Sequence, residues 1–147
     1  MVDFELFFQK NAEQLCKAYG LRTESWDSRI QVLLGDGYLL VFGGDVSGTI
    51  DLLYMSRGSK QELVCLDLSW YVGRMADKQD RRSCVPRNTV LDGWKNNTMI
   101  YFHVLQRCFE DLLRGGKQWT EAYRKSEYAS EIRMDRGFLA GKAKQYL

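Results

Sequence analysis

Histidine is all but missing from these 147 residues: His103 stands alone. Any imidazole-based metal site or proton relay would have to be built around that one side chain. It lies beside the apolar stripe of an amphipathic segment, where a structural role is the ordinary one. Cysteine is sparse and scattered. Cys16, Cys65, Cys84 and Cys108 never form a C-x-x-C pair, so a zinc site would need folding alone to gather Cys65, Cys84 and Cys108 around the histidine. Long apolar runs are also missing, since stretches such as LLVF at 39–42 fall far short of the roughly 20 residues of a membrane span. The opening MVDFELFFQK carries an acid where an export leader carries basic residues, and no sustained apolar core comes after it. The expectation is a cytoplasmic protein with free thiols, no membrane contact and no cofactor.

What is present suits one globular domain spanning 1–147. The hydrophobic fraction is 45% and the charged fraction 27%, both ordinary for a folded soluble chain. Charge is unevenly distributed although the net is only +2. Residues 1–73 hold six Lys/Arg against ten Asp/Glu, and residues 74–147 hold fifteen against nine. An acidic first half and a basic second half bear on the choice of partner rather than on the fold.

The pattern along the chain predicts an α+β fold. Asp3 is placed to cap a helix in which Phe4, Phe8, Ala12, Leu15 and Tyr19 recur every three or four residues, with Gly20 as a stop. From about residue 28, short apolar runs alternate with GDG, GGDVSG and SRGSK. Asp-Gly between apolar runs is a strong hairpin signal, because a type I′ turn needs positive φ. The pattern predicts an antiparallel meander of four to five strands, four of them near 29–34, 38–43, 49–55 and 62–70. In TIDLLYM both strand faces carry apolar residues. One face is therefore expected to pack on helices and the other to be partly covered or to receive a partner. The segment 74–97 holds the only proline, Pro86, and is expected to contain a short helix or strand around Thr89–Leu91. A helix capped by Asn97 or Thr98 should then run to Arg114 and stop at Gly115–Gly116. A shorter helix capped by Thr120 comes next, and the C-terminal helices are expected to pack on one face.

Little of this looks like chemistry. The run FGGDVSGTIDLLY at 42–54 is glycine-rich, but it lacks the lysine of a phosphate-binding loop, and its second half, TIDLLY, reads as a strand rather than the helix of a dinucleotide fold. A hairpin is the better reading. Asp36, Asp45, Asp51 and Asp67 fall on separate hairpin elements, which argues against a catalytic pair of carboxylates. Cys84 lies close in sequence to Arg81, Arg82 and Arg87, a setting that can make a thiol reactive. The same arginines with Trp94 could form a stacking and phosphate-binding surface, although +2 is weak for phosphate-driven affinity and nucleic acid is not the expected partner.

The stretch DLLRGGKQWTEAYRKS at 111–126 resembles the C-terminal helix–turn–helix segment of bacterial immunity proteins that accompany contact-dependent inhibition and other polymorphic toxins. The overall plan of an N-terminal helix, a strand meander and terminal helices is similar as well. The resemblance implies a non-enzymatic antitoxin in the cytoplasm that binds a cognate toxin C-terminal domain, often a nuclease, and occludes its active or substrate-binding site. Asp36, Asp45 and Asp51 are the candidate toxin contacts, since a nuclease would present a basic cleft. Arg81, Arg82, Arg87 and Trp94 form the alternative surface. Two rival readings remain beside it: a small nucleic-acid-binding module using 74–97, and a small enzyme using His103 or Cys84.

Overall fold

A computed structural model describes residues 2–134 and 136–147. Helix α1 (Val2–Tyr19) is followed by strands β1 (Arg22–Asp27), β2 (Ile30–Leu34), β3 (Tyr38–Gly44), β4 (Ile50–Arg57) and β5 (Leu63–Asp67). Then come α2 (Ser69–Gly73), a 3-10 turn (Gln79–Arg81), α3 (Val90–Cys108), α4 (Glu110–Leu113), α5 (Trp119–Lys125), β6 (Glu131–Ile132) and α6 (Phe138–Tyr146). These six strands join one antiparallel sheet in sequence order. The fold is α+β, with β1 and β6 added to the four expected strands.

Local chemistry accounts for most boundaries. The α1 stripe of Phe4, Phe8, Ala12 and Leu15 is buried as its spacing requires, and Gly20 ends the helix at φ +68°. Asp3 lies inside the first turn rather than ahead of it, where its negative charge favours the positive end of the helix dipole. The run Phe42–Tyr54 is a hairpin: β3 ends at Gly44, β4 begins at Ile50, and Gly48 takes φ +89° in the turn between them. The strand expected over 62–70 is shorter, because Asp67 accepts from the Ser69 backbone N–H at 2.9 Å and turns the chain into α2.

Helix α3 starts eight residues earlier than the start expected after a cap at Asn97. Thr89 is the true N-cap: its side chain accepts from Asp92 N, and the Asp92 carboxylate accepts from the Thr89 N–H, a reciprocal capping box. At the next helix, Thr120 is internal to α5 and its hydroxyl donates to Lys117 O at 2.6 Å.

The two faces of the sheet build two cores. On one, Leu33, Leu40, Phe42, Leu52, Tyr54 and Leu66 pack against α1, α2, α3 and α5. Phe8 sits there edge-on to Phe42 and Phe102, with ring centroids 5.0 and 5.2 Å away. On the other face Val32, Leu34, Leu39, Val41, Leu53 and Met55 are covered from α6, whose Ala143 is fully buried among them. Thus α5 and α6 lie on opposite faces rather than the single face expected, as the two-sided apolar pattern of β4 demands.

The segment between α2 and α3 is held from inside. Asp80 is only 2% exposed, and its carboxylate accepts from Arg107 Nη2 at 2.6 Å and Asp77 N at 3.0 Å. Its carbonyl lies 2.9 Å from His103 Nδ1. Because a carbonyl only accepts, that bond fixes the proton of neutral His103 on Nδ1. Replacing Asp80 with Ala removes a charge-assisted network and is expected to cost about 2 kcal/mol, read as a lower urea midpoint, with faster amide exchange across 77–84.

Candidate functional site

The end of the sheet where β3 turns into β4 gathers most of the unusual side chains. Asp45 organises that turn. One carboxylate oxygen accepts from Ser47 N at 2.9 Å, Ser47 Oγ at 2.6 Å and Thr49 N at 3.0 Å, and the other accepts from Thr49 Oγ1 at 2.6 Å. These bonds, the two hydroxyls foremost, hold its carboxyl down at about 2, against an ordinary 3.8. Asp45 thus uses its acceptor capacity within its own loop.

Helix α3 and the segment before it dock on this turn. Trp94 Nε1 donates to Asp45 O at 2.8 Å, and the indole packs on Phe4 at a centroid distance of 5.4 Å. A side chain at Gly44 would collide with that ring. Gly93 faces the backbone of Gly48 so closely that a Cβ would overlap it, which explains a glycine inside a helix. The Arg87 guanidinium donates to Ser47 O. Of the alternative surface, therefore, Trp94 is 4% exposed and belongs to the core, and Arg87, though exposed, is tied to the hairpin, which leaves Arg81 and Arg82 as the exposed cations not bonded to it. Arg82 also donates to Gln79 O at 2.7 Å.

The three acids proposed as contacts do not converge. Asp36 sits in the β2–β3 turn, at the end of β3 remote from Asp45, roughly 20 Å of strand away. Asp51 lies near Asp45, and it lines a cleft of about 470 Å³. That cleft has an identifiable cause. β5 pairs with β4 only as far as Leu53–Asp67, so beyond this point the outer edge of β4 has no neighbouring strand among the described residues. Side chains and the start of α2 complete the ladder instead: Asn97 Oδ1 accepts from Ile50 N at 3.2 Å, and Tyr101 OH donates to Ile50 O at 3.1 Å. Leu52 N donates to Ser69 Oγ, and Leu52 O accepts from Leu68 N.

Aromatic and charged groups rim the opening. Trp70, in α2, is 76% exposed and lines the cleft with Tyr101 and Tyr128. Arg74 lines it too, its guanidinium 4.6 Å from the Tyr71 ring centroid and 5.5 Å from that of Tyr128. Among the described residues Asp51 has no ion-pair partner. Partial desolvation at the cleft mouth first, then the like charges of Asp67 and Asp45, push the carboxyl of this exposed residue above the ordinary range. From residues alone Trp70 falls at the end of a strand, and Arg74 and Tyr128 have no joint role. The signal available was the SWYVGR run directly after Leu68.

The remaining candidates fall apart in space or into the core. Cys84 is half-buried, with Sγ 3.9 Å from Asn96 O. Cys65 is buried, and its thiol is pushed up to about 12 mainly by burial. His103 lines a separate groove of about 320 Å³ with Lys10, Glu13 and Arg82. Among the described residues no three His, Cys, Asp or Glu side chains are grouped to hold a metal, and no helix is long and apolar enough to cross a membrane. The segment DLLRGGKQWTEAYRKS forms α4, a turn through Gly115 at φ +86°, and α5. Trp119 and Tyr123 face the core, and Tyr123 OH donates to Asp67 O at 2.7 Å. Comparison with protein-family models, with curated proteins and with solved structures finds no match for this chain.

Asp45, and Asp80 beside Arg107, both have carboxyls held at about 2. A depressed folded value stabilises the protein above the unfolded carboxyl pKa near 4 and loses that contribution as pH falls towards 2. Asp45→Asn keeps a turn-forming side chain but removes one such carboxylate. Urea midpoints measured from pH 5 to pH 2 are expected to fall less steeply for this variant than for the parent.

Proposed function

We propose that this chain is a non-enzymatic immunity or inhibitor protein that acts in the cytoplasm. It binds a cognate toxin domain, with a nuclease the favoured class, and neutralises it by occluding its active or substrate-binding surface. The observation that carries the reading is the cleft beside β4, where an indole that is 76% exposed stands with Tyr128, Arg74 and Asp51. Trp, Tyr and Arg dominate the energetics of protein interfaces, because they bury large area at small conformational cost and still carry polar ends. A large exposed ring held against a formed cleft is an expense that a free monomer gains nothing from. Acids at the same end, Asp51 and Asp67, would steer a basic partner. The architecture and the α4–α5 segment supply the resemblance to toxin-neutralising proteins, and the cleft supplies a surface with the right composition.

The test uses the product of the gene immediately upstream as partner. Calorimetry is expected to give one-to-one binding with a dissociation constant on the order of nanomolar, and co-expression is expected to abolish the partner's toxicity. Salt-sensitive retention of generic RNA or DNA without binding to that product would replace this reading with a nucleic-acid one.

A further inference from the structure

The cleft also indicates what the partner inserts. An incoming strand finds no free ladder here, because the edge groups of Ile50 and Leu52 already bond Asn97, Tyr101, Ser69 and Leu68. Recognition must therefore run through side chains entering the cavity rather than through sheet extension. The walls are aromatic, and the acid that lines them without an ion-pair partner among the described residues is Asp51. The like charges of Asp67 and Asp45 act on it, Arg29 shares a second, smaller groove with it but forms no ion pair among the described residues, and Arg74 is stacked over the rings of Tyr71 and Tyr128.

We propose that the cleft receives an arginine side chain carried by the bound protein, its guanidinium lying against the Trp70 indole and pairing with the Asp51 carboxylate. Arginine suits this site better than lysine. Its planar, weakly hydrated head stacks on an indole and still presents a fork of donors to a carboxylate. Trp70 is the ring type that binds cations best. The volume of about 470 Å³ is ample for one such side chain with its flanking backbone. The inference deepens the toxin-binding reading and rests on it for the identity of the partner, but the cleft can be tested without that partner.

The protein carries its own reporter. Trp70 is 76% exposed, whereas Trp26, Trp94 and Trp119 are 7%, 4% and 8% exposed, so a ligand in the cleft perturbs one indole. The probe is N-acetyl-arginine amide at low ionic strength, with the citrulline amide as its uncharged isostere and the lysine amide as a second cation. A saturable change in fluorescence is expected with arginine, about tenfold weaker with citrulline and weaker with lysine. Asp51→Asn should reduce arginine to the citrulline level, and Trp70→Phe should remove the signal. Both residues are exposed, and circular dichroism verifies that each variant folds. Equal binding of arginine and citrulline, tighter binding of lysine, a response that does not saturate, or full affinity in Asp51→Asn would each overturn the proposal. With the upstream gene product, tight binding that survives Asp51→Asn would refute the arginine assignment and leave the toxin reading standing. Arginine binding in the cleft, with no affinity for that product, would do the reverse.

Discussion

The backbone edge of β4 sets the terms for the rest of the molecule. A strand whose neighbour departs leaves N–H and C=O groups that cost free energy if they are buried unpaired. β5 departs from β4 beyond Leu53–Asp67, and the chain satisfies the exposed edge with Ser69, Asn97 and Tyr101 in place of a strand. Two of those side chains belong to α3, so the helix has to lie across this edge at a fixed height. Gly93 against Gly48, and Trp94 against Gly44 with its N–H on Asp45 O, hold it there. The cleft is the space left over when a helix and a short turn of α2 stand in for a missing strand segment.

The same packing explains what could and could not be read from residues alone. The hairpins at Asp36–Gly37 and through Gly48 were legible because positive φ leaves few residue choices, and Gly37 and Gly48 adopt +78° and +89°. The aromatic stripe of α1 was legible because its period and its burial agree. The start of α3 was misread because Gly93, Asn96 and Asn97 look like loop residues. They are in fact tertiary contacts: Gly93 permits backbone approach, Asn96 Nδ2 bonds Val85 O, and Asn97 completes β4. Strand β1 is hard to read from RTESWD because it is an edge strand with one buried side chain, Trp26.

The candidate site was only half legible. In the sequence only its charge marks Asp51, whereas its distinction lies in its place at the mouth of an aromatic cleft, where the like charges of Asp67 and Asp45 act on it. Asp45 looked like a solvent-facing contact, but its four local hydrogen bonds make it a turn organiser. Trp94 looked like a hot spot and is core, while Trp70 looked like strand and is exposed. Local composition cannot distinguish these cases, because the orientation of an indole is decided by which helix lies over it. Arg81 lines a small groove with Gly73, Asn97 and Tyr101, which also line the cleft, so a cation of the basic half of the sequence lies close to the acids of this edge.

The proposed docking place is the cleft beside the side-chain-capped edge of β4. Amide hydrogen exchange of the chain, alone and saturated with the upstream gene product, tests it most directly. The account predicts that slowing concentrates in residues 49–52, in α2 and its continuation to Arg74, and around Tyr128. Slowing confined to α6 or to the outer edge of β1, with the segment 69–74 exchanging as fast as in the free protein, would contradict it.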